Sequence, residues 1–197
     1  MKQLMLEPTA TAQWQSLVSE AETVCHRHLG VELQSYLVFL LMRFVNRPEF
    51  AGTVMATEYL RTTQITGQAH IAGLRDVGDQ CLLYSGLFPR RAERKLVRLS
   101  YFVELGRSAY DELASALAKQ GADMYTQLSA AFVTLMEVLQ TMRALGGEPL
   151  GVIQGFELWN DTGSVLGLEK LAALSDGVPI RDERPIDKLT IFRRRAH

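Results

Sequence analysis

The sequence predicts an all-α fold: a single-domain multi-helix bundle of about seven helices with a short irregular C-terminal tail. Three observations carry that expectation. Apolar residues recur every three to four positions along nearly the whole chain, and the two-residue alternation of a strand is rare. Gly, Pro and Asn punctuate the periodic stretches at ordinary helix lengths. The 197 residues are 47% hydrophobic and 22% charged, enough to close one sizeable core without metals or disulfides.

The elements follow in order. Trp14, Leu17, Val18, Ala21 and Val24 form the stripe of a first helix, with Thr9 or Thr11 as cap and Gly30 as the glycine that ends it. A second helix spans about Val31 to Val45. Its stretch Tyr36 to Met42 is apolar all round, so it is expected to be the most buried element, and Asn46-Arg47-Pro48 stops it. A third, Thr- and Gly-containing segment runs from about Glu49 to Thr63. Ile71 to Gly86 reads as a fourth helix, where Gly73 and Gly78 cost helix stability and so suggest close backbone packing.

Ser85 to Pro89 breaks the pattern, because the residue before a proline is pushed out of helical geometry. A basic turn, Arg90 to Arg98, precedes a helix from about Tyr101 to Lys119, capped by Ser100 and closed by Gly121. This helix forms a hairpin with the next one, Asp123 to Leu145. There Tyr125, Leu128, Phe132, Leu135, Leu139 and Met142 follow a strict three-four spacing. A seam this short either lies inside the bundle or faces outward as a dimer surface. Leu150 to Trp159 and Val165 to Leu174 read as two short helices split at Asp161-Thr162-Gly163. The helical domain is therefore placed at 1–179, and 180–197 reads as a charged, mobile tail without periodicity.

Charge narrows the function classes. Lys and Arg number 21 against 22 Asp and Glu, a formal net charge of -1, so a bulk polyelectrolyte partner is not implied. The two cysteines, Cys25 and Cys81, have no metal-ligand spacing and read as buried thiols of a reducing cytoplasm. The first ten residues hold one Lys and no long apolar stretch, unlike a secretory signal. The longest apolar run ends at Arg43, too short for a membrane span. A cytoplasmic protein is expected.

Three segments form a recognisable set: Leu74 to Asp79 leading into Ser85-Gly86-Leu87-Phe88-Pro89; Tyr101 to Gly106 with Ala109-Tyr110; and Phe156 to Trp159 followed by Thr162-Gly163-Ser164. Together, across roughly Leu74 to Pro179, they resemble a group of uncharacterised bacterial all-helical proteins. That resemblance implies a bacterial, cytosolic helical protein. The group has no assigned activity, so the resemblance implies no catalytic residue.

Two constellations could carry chemistry. Arg90, Arg91, Arg94, Lys95 and Arg98 fall within nine residues, and on a helix Arg90, Arg94 and Arg98 share a face that could hold phosphates. The alternative is a solvated face; Arg193-Arg194-Arg195 could extend it. Around the break, Arg75 and Asp79 are four residues apart, and Glu104 and Arg107 lie on a polar stripe of the next long helix. If the two helices pack, these groups meet near Tyr84 and Tyr101. Such a meeting is an interhelical salt-bridge network or a polar pocket for a small ligand.

The histidines add little. His26 and His28 would point about 200° apart on a helix, so they cannot chelate one ion there. His70 could be a lone haem-type ligand but reads as structural. Nucleophile elbows and glycine-rich phosphate loops are absent from the sequence, and no metal or cofactor is expected. The reading that follows is an interaction or regulatory protein, a homodimer working through helical surfaces, with no catalytic signature. A small-molecule-binding helical protein or heme-oxygenase-like enzyme is the alternative. A nucleic-acid accessory protein using the Arg90 to Arg98 face comes third.

Overall fold

The computed structural model describes residues 9–46, 55–62, 64–89 and 97–173. Among these the regular structure is wholly helical and comprises nine α-helices: α1 (Ala10–Val24), α2 (Val31–Asn46), α3 (Met55–Thr62), α4 (Gln68–Leu87), α5 (Leu99–Ala116), α6 (Lys119–Ala130), α7 (Phe132–Leu145), α8 (Val152–Thr162) and α9 (Val165–Ala172). The protein is an all-α multi-helix bundle. The expected tail at 180–197 lies outside the described residues.

Helix α4 is the axis of the bundle. It packs on α3, α5 and α7, while α1 packs on α2 and α7, and the α8–α9 hairpin joins through α5. Every residue from Val77 to Gly86 is buried, so the C-terminal half of α4 is covered on all sides. The sequence had pointed to α2 as the most buried helix. In fact Phe39 and Val45 of α2 are 62% and 57% exposed, because α2 lies at the bundle's edge with only one face inward. The small residues explain why α4 can be enclosed. Gly78 lies under the ring of Tyr110, and Gly106 lies against Cys81 and Phe132, so α4 and α5 approach closely.

Thr9 caps α1, its hydroxyl accepting from the Ala12 N–H at 3.3 Å. The helix then stops at Val24, well before Gly30. The residue that turns the chain is His26, at φ 52°, with the Arg27 N–H bonded back to the Glu22 carbonyl and the His26 N–H to that of Thr23. This is a Schellman ending with histidine where glycine is favoured. His26 and His28 consequently lie beyond the helix, and the sequence argument about their opposite directions does not apply. Because His26 is exposed and in a left-handed conformation, His26→Gly is expected to stabilise the fold by about 0.5–1 kcal/mol, measured as a raised urea midpoint.

Three other expectations are corrected. Ser100 does not cap α5, which starts one residue earlier, after Arg98. Its hydroxyl donates to Asp161 Oδ2 of α8 at 2.8 Å, so a carboxylate from a remote helix sits at the start of α5. Gly121 does not close α5 but lies inside α6, the turn being made by extended Leu117 and Ala118. The expected helix from Asp123 to Leu145 is two helices, meeting at Ala131 with a bend of 66°. No proline or glycine marks the bend. It is imposed by packing, because α6 must cover α5 and α2 while α7 runs between α1 and α4. This extra break accounts for part of the difference between nine helices and about seven.

The seam residues Leu128, Phe132, Leu135 and Leu139 are fully buried inside this one chain. The seam is therefore core, and it offers no outward dimer surface. No single helix among the described residues is long and apolar enough to cross a membrane; α6 and α7 reach that length only as a bent pair.

Candidate functional site

Two features are candidates: a buried carboxylate cluster around Asp79 and an apolar groove at one end of the bundle.

Asp79 sits in the fully enclosed part of α4 and is 1% exposed. Tyr36 of α2 donates its hydroxyl to Asp79 Oδ1 at 2.6 Å, and Tyr110 of α5 donates to the same oxygen at 2.7 Å. Arg43 reaches Oδ2 at 2.8 Å and also Asp76 Oδ1 at 3.1 Å. Tyr125 of α6 packs against both phenol rings, at 6.3 Å from Tyr36 and 6.0 Å from Tyr110. One carboxylate thus ties α2, α4 and α5 together under the edge of α6. Burial pushes the Asp79 carboxyl above its ordinary range, against the opposing pull of Arg43 and the two phenols. Burial, reinforced by the neighbouring Asp79, holds Tyr36 and Tyr110 well above the ordinary phenol range, so both remain donors. The arrangement is a satisfied pin that sets helix register.

The sequence singled out Asp79, but with other partners. Arg75 is half-exposed and lies 3.9 Å from Asp76; it acts on Asp79, four residues on, through its charge, with no ion-pair contact. Tyr84 is buried and stacks on Phe102 at 5.4 Å. Tyr101 is half-buried at the edge of the same aromatic cluster, 5.3 Å from Phe102. Glu104 and Arg107 lie on the exposed face of α5. The six residues Arg75, Asp79, Tyr84, Tyr101, Glu104 and Arg107 do not converge. The α4–α5 contact is made by the Gly78–Tyr110 and Gly106–Cys81 pairs, which turns the polar stripe of α5 toward solvent.

A signal for the true partners existed. Tyr36 and Arg43 are seven residues apart, hence on one face of α2, as polar groups bracketing an apolar run.

Two further buried carboxylates do similar work. Glu137, 1% exposed, pairs with Arg27 at 2.7 Å and accepts from the Ser164 hydroxyl at 2.7 Å and the Leu166 N–H at 3.1 Å, so α7 caps the start of α9. Glu22 accepts from the Leu29 N–H at 2.6 Å and from Gln34 Nε2 at 2.7 Å. His70 is engaged as well. Its Nδ1 lies 2.8 Å from the Thr62 carbonyl oxygen, and its Nε2 is 3.6 Å from Glu112. Among the described residues no group of three or more His, Cys, Asp or Glu is placed to hold a metal ion. Cys25 and Cys81 are free thiols whose burial pushes both up, away from the reactive thiolate.

Of the basic cluster, Arg90, Arg91, Arg94 and Lys95 lie outside the described residues. Arg98 is described and points its guanidinium toward Asp161 Oδ2 at 3.5 Å.

The groove has a volume of about 670 Å³. Its walls are Trp14 of α1, Leu41 and Phe44 of α2, Phe88 just after α4, and Met142 of α7. Leu17, Val45 and Leu145 form an apolar rim, and Glu20, Arg143 and Glu148 are the charged residues of the lining. Phe44 and Phe88 contact each other at 5.3 Å. Sequence reasoning assigned none of these residues to a site. Each looked like core stripe or helix end, and only the convergence of separate helices makes them a lining.

Comparison with known proteins gives no match: no family model fits the chain, and no curated protein or solved structure is significantly similar to it.

Proposed function

We propose that this is a helical binding protein of the cytoplasm that holds an apolar small molecule in the groove between α1, α2 and the ends of α4 and α7. The observation that carries this reading is the groove itself. Its volume of about 670 Å³ lies within the range of small-molecule sites, roughly 300–1,000 Å³, and its walls are mainly aliphatic and aromatic with a few charges. Calorimetric titration with 1-decanol, a plain apolar probe, tests it. Saturable binding is expected, accompanied by a change in Trp14 emission in a Trp159→Phe background. Leu17→Glu and Leu145→Glu place a charge on the rim. Both side chains are already 44% and 46% exposed, so each change is expected to cost about 1 kcal/mol or less in stability while weakening decanol binding at least about tenfold. Absence of saturable binding by the wild-type chain sinks the reading.

A second reading, an interaction or regulatory protein acting as a homodimer, rests on α8. Val152, Ile153 and Phe156 share one face of that helix and are 52%, 76% and 46% exposed. Sedimentation equilibrium at tens of micromolar separates the cases. A dimer that Ile153→Arg dissociates supports this reading, and a monomer contradicts it.

A further inference from the structure

We infer that α3 is a releasable strap, clasped over the first turns of α4 by polar contacts and able to open while the rest of the bundle stays folded. The helix is short, eight residues from Met55 to Thr62, fewer than an isolated helix needs to persist in water. Once detached it therefore melts. Its packing is also light. Of the side chains described, Thr57 to Thr62, only Thr62 is buried, Tyr59 is half-buried and Leu60 is 57% exposed. Its neighbour α4, by contrast, buries an unbroken run from Val77 to Gly86. Elements that bury little apolar surface open at low free energy, ahead of global unfolding.

The clasp is polar and centres on Glu112 of α5. The Tyr59 hydroxyl donates to Glu112 Oε2 at 2.8 Å, and Glu112 Oε1 lies 3.6 Å from His70 Nε2 of α4. At the end of α3 the Thr62 carbonyl lies 2.8 Å from His70 Nδ1. A carbonyl oxygen only accepts, so that nitrogen carries the proton. The Glu112 side chain is 36% exposed, so opening exchanges its bond for bonds to water at small net loss.

Gly73 sets how closely the strap can lie. A Cβ there would meet Thr62 Oγ1 at 2.7 Å and Thr62 Cγ2 at 2.9 Å. The Thr62 side chain is β-branched, and its hydroxyl already donates to the Glu58 carbonyl at 2.8 Å, so it has little room to turn aside. A methyl group at position 73 therefore wedges α3 away. Within α4, alanine is a better helix former than glycine. One substitution thus pulls in opposite directions on the two helices, loosening α3 and strengthening α4. Opening lifts Thr62 off Gly73 and Tyr59 off Glu112, and so bares the His70–Glu112 pair. No described residue of α3 lines the groove, so this motion stands apart from ligand binding there.

Native-state hydrogen exchange of the full chain, followed by NMR across low urea concentrations, tests this. The amides of Tyr59 to Thr62 are expected to exchange at least about 100-fold faster than those of Val77 to Tyr84. Their rates should not depend on urea, whereas those of α4 should rise with it. Gly73→Ala is expected to speed α3 exchange at least about tenfold while leaving the urea midpoint unchanged or higher. Tyr59→Phe removes one clasp hydroxyl and is expected to speed it about fivefold, with the midpoint little changed. Exchange of α3 at the α4 rate, with the same urea dependence, overturns the inference. A lowered urea midpoint in Gly73→Ala does so too. If Gly73→Ala does not fold, Tyr59→Phe decides alone, and unchanged α3 exchange in that variant overturns the clasp.

Discussion

Replacing Asp79 with alanine is expected to cost about 3–5 kcal/mol of stability, read from urea unfolding. The loss exceeds that of a hydrogen bond because two phenols lose their acceptor at once and Arg43, still paired with Asp76, loses its shorter contact. The hydroxyls of Tyr36 and Tyr110 and the guanidinium of Arg43 all converge on this carboxylate, and Tyr110 is fully buried. Asp79→Asn keeps an acceptor for the phenols and removes a charge whose burial is unfavourable, so a much smaller cost is expected, arising from the amide group that replaces an oxygen facing Arg43. Tyr36→Phe and Tyr110→Phe are expected to cost about 1–2 kcal/mol each, less than additively with Asp79→Ala, since they share one acceptor. A loss under about 1 kcal/mol for Asp79→Ala would show that the cluster does not hold the bundle together.

The same carboxylate gives a pH dependence of definite sign. Burial raises the Asp79 pKa in the folded chain above its ordinary value of 3.8, despite Arg43 and the phenols. The native state therefore holds this proton more tightly than the unfolded state does. The resulting stabilisation is present in full below pH 3.8 and is lost as the pH rises through the folded pKa. Relative to Asp79→Asn, which cannot titrate, the wild-type chain should lose stability as the pH rises from about 4 toward neutrality. Urea midpoints of the two proteins across that range measure it. A difference that is flat, or that grows in favour of wild type, contradicts the assignment.

The second large effect is expected at Gly106. A Cβ placed there would lie 2.5 Å from two ring atoms of Phe132 and 2.8 Å from the Cβ of Cys81. The first neighbour is a fully buried ring packed against Tyr110, and the second is tied to the α4 backbone. Neither can retreat without opening the α4–α5 contact. Alanine favours a helix over glycine by about 1 kcal/mol, and overpacking of a closed core costs about 1–3 kcal/mol or more. The clash wins: Gly106→Ala is expected to lose about 1–2 kcal/mol and Gly106→Val more than 3 kcal/mol. Phe132→Leu removes the ring atoms in the way, so in a double-mutant cycle it should recover much of the Gly106→Ala loss. Additive losses would mean that the contact with Phe132 is not the cause.

Gly106 also shows where sequence reasoning reached and where it stopped. A glycine inside a helical pattern signals a close approach, and Gly78 was read that way. Its neighbours, Tyr110 for Gly78 and Phe132 for Gly106, come from other helices and have no mark in the local pattern. Asp79 is similar. Its place on a buried helix near a break singled it out, but Arg75 acts on it through charge without a hydrogen bond, and Glu104 and Arg107 of the next helix face solvent. Tyr36 and Arg43 lie more than thirty residues earlier.

Local rules alone determined the helical class, most helix starts and stops, and the identity of the apolar faces. The cap at Thr9, the left-handed turn at Gly163 and the end of α4 before Pro89 are written in neighbouring residues, because capping and proline geometry act within one turn. Tertiary structure alone decided the bend at Ala131, which has no breaker and exists because α6 and α7 serve different neighbours. It decided that the three-four seam is core and not a surface, and that a histidine occupies the turn after α1. It also decided the groove, since its lining is drawn from α1, α2, α7 and the end of α4, a convergence no window of sequence contains.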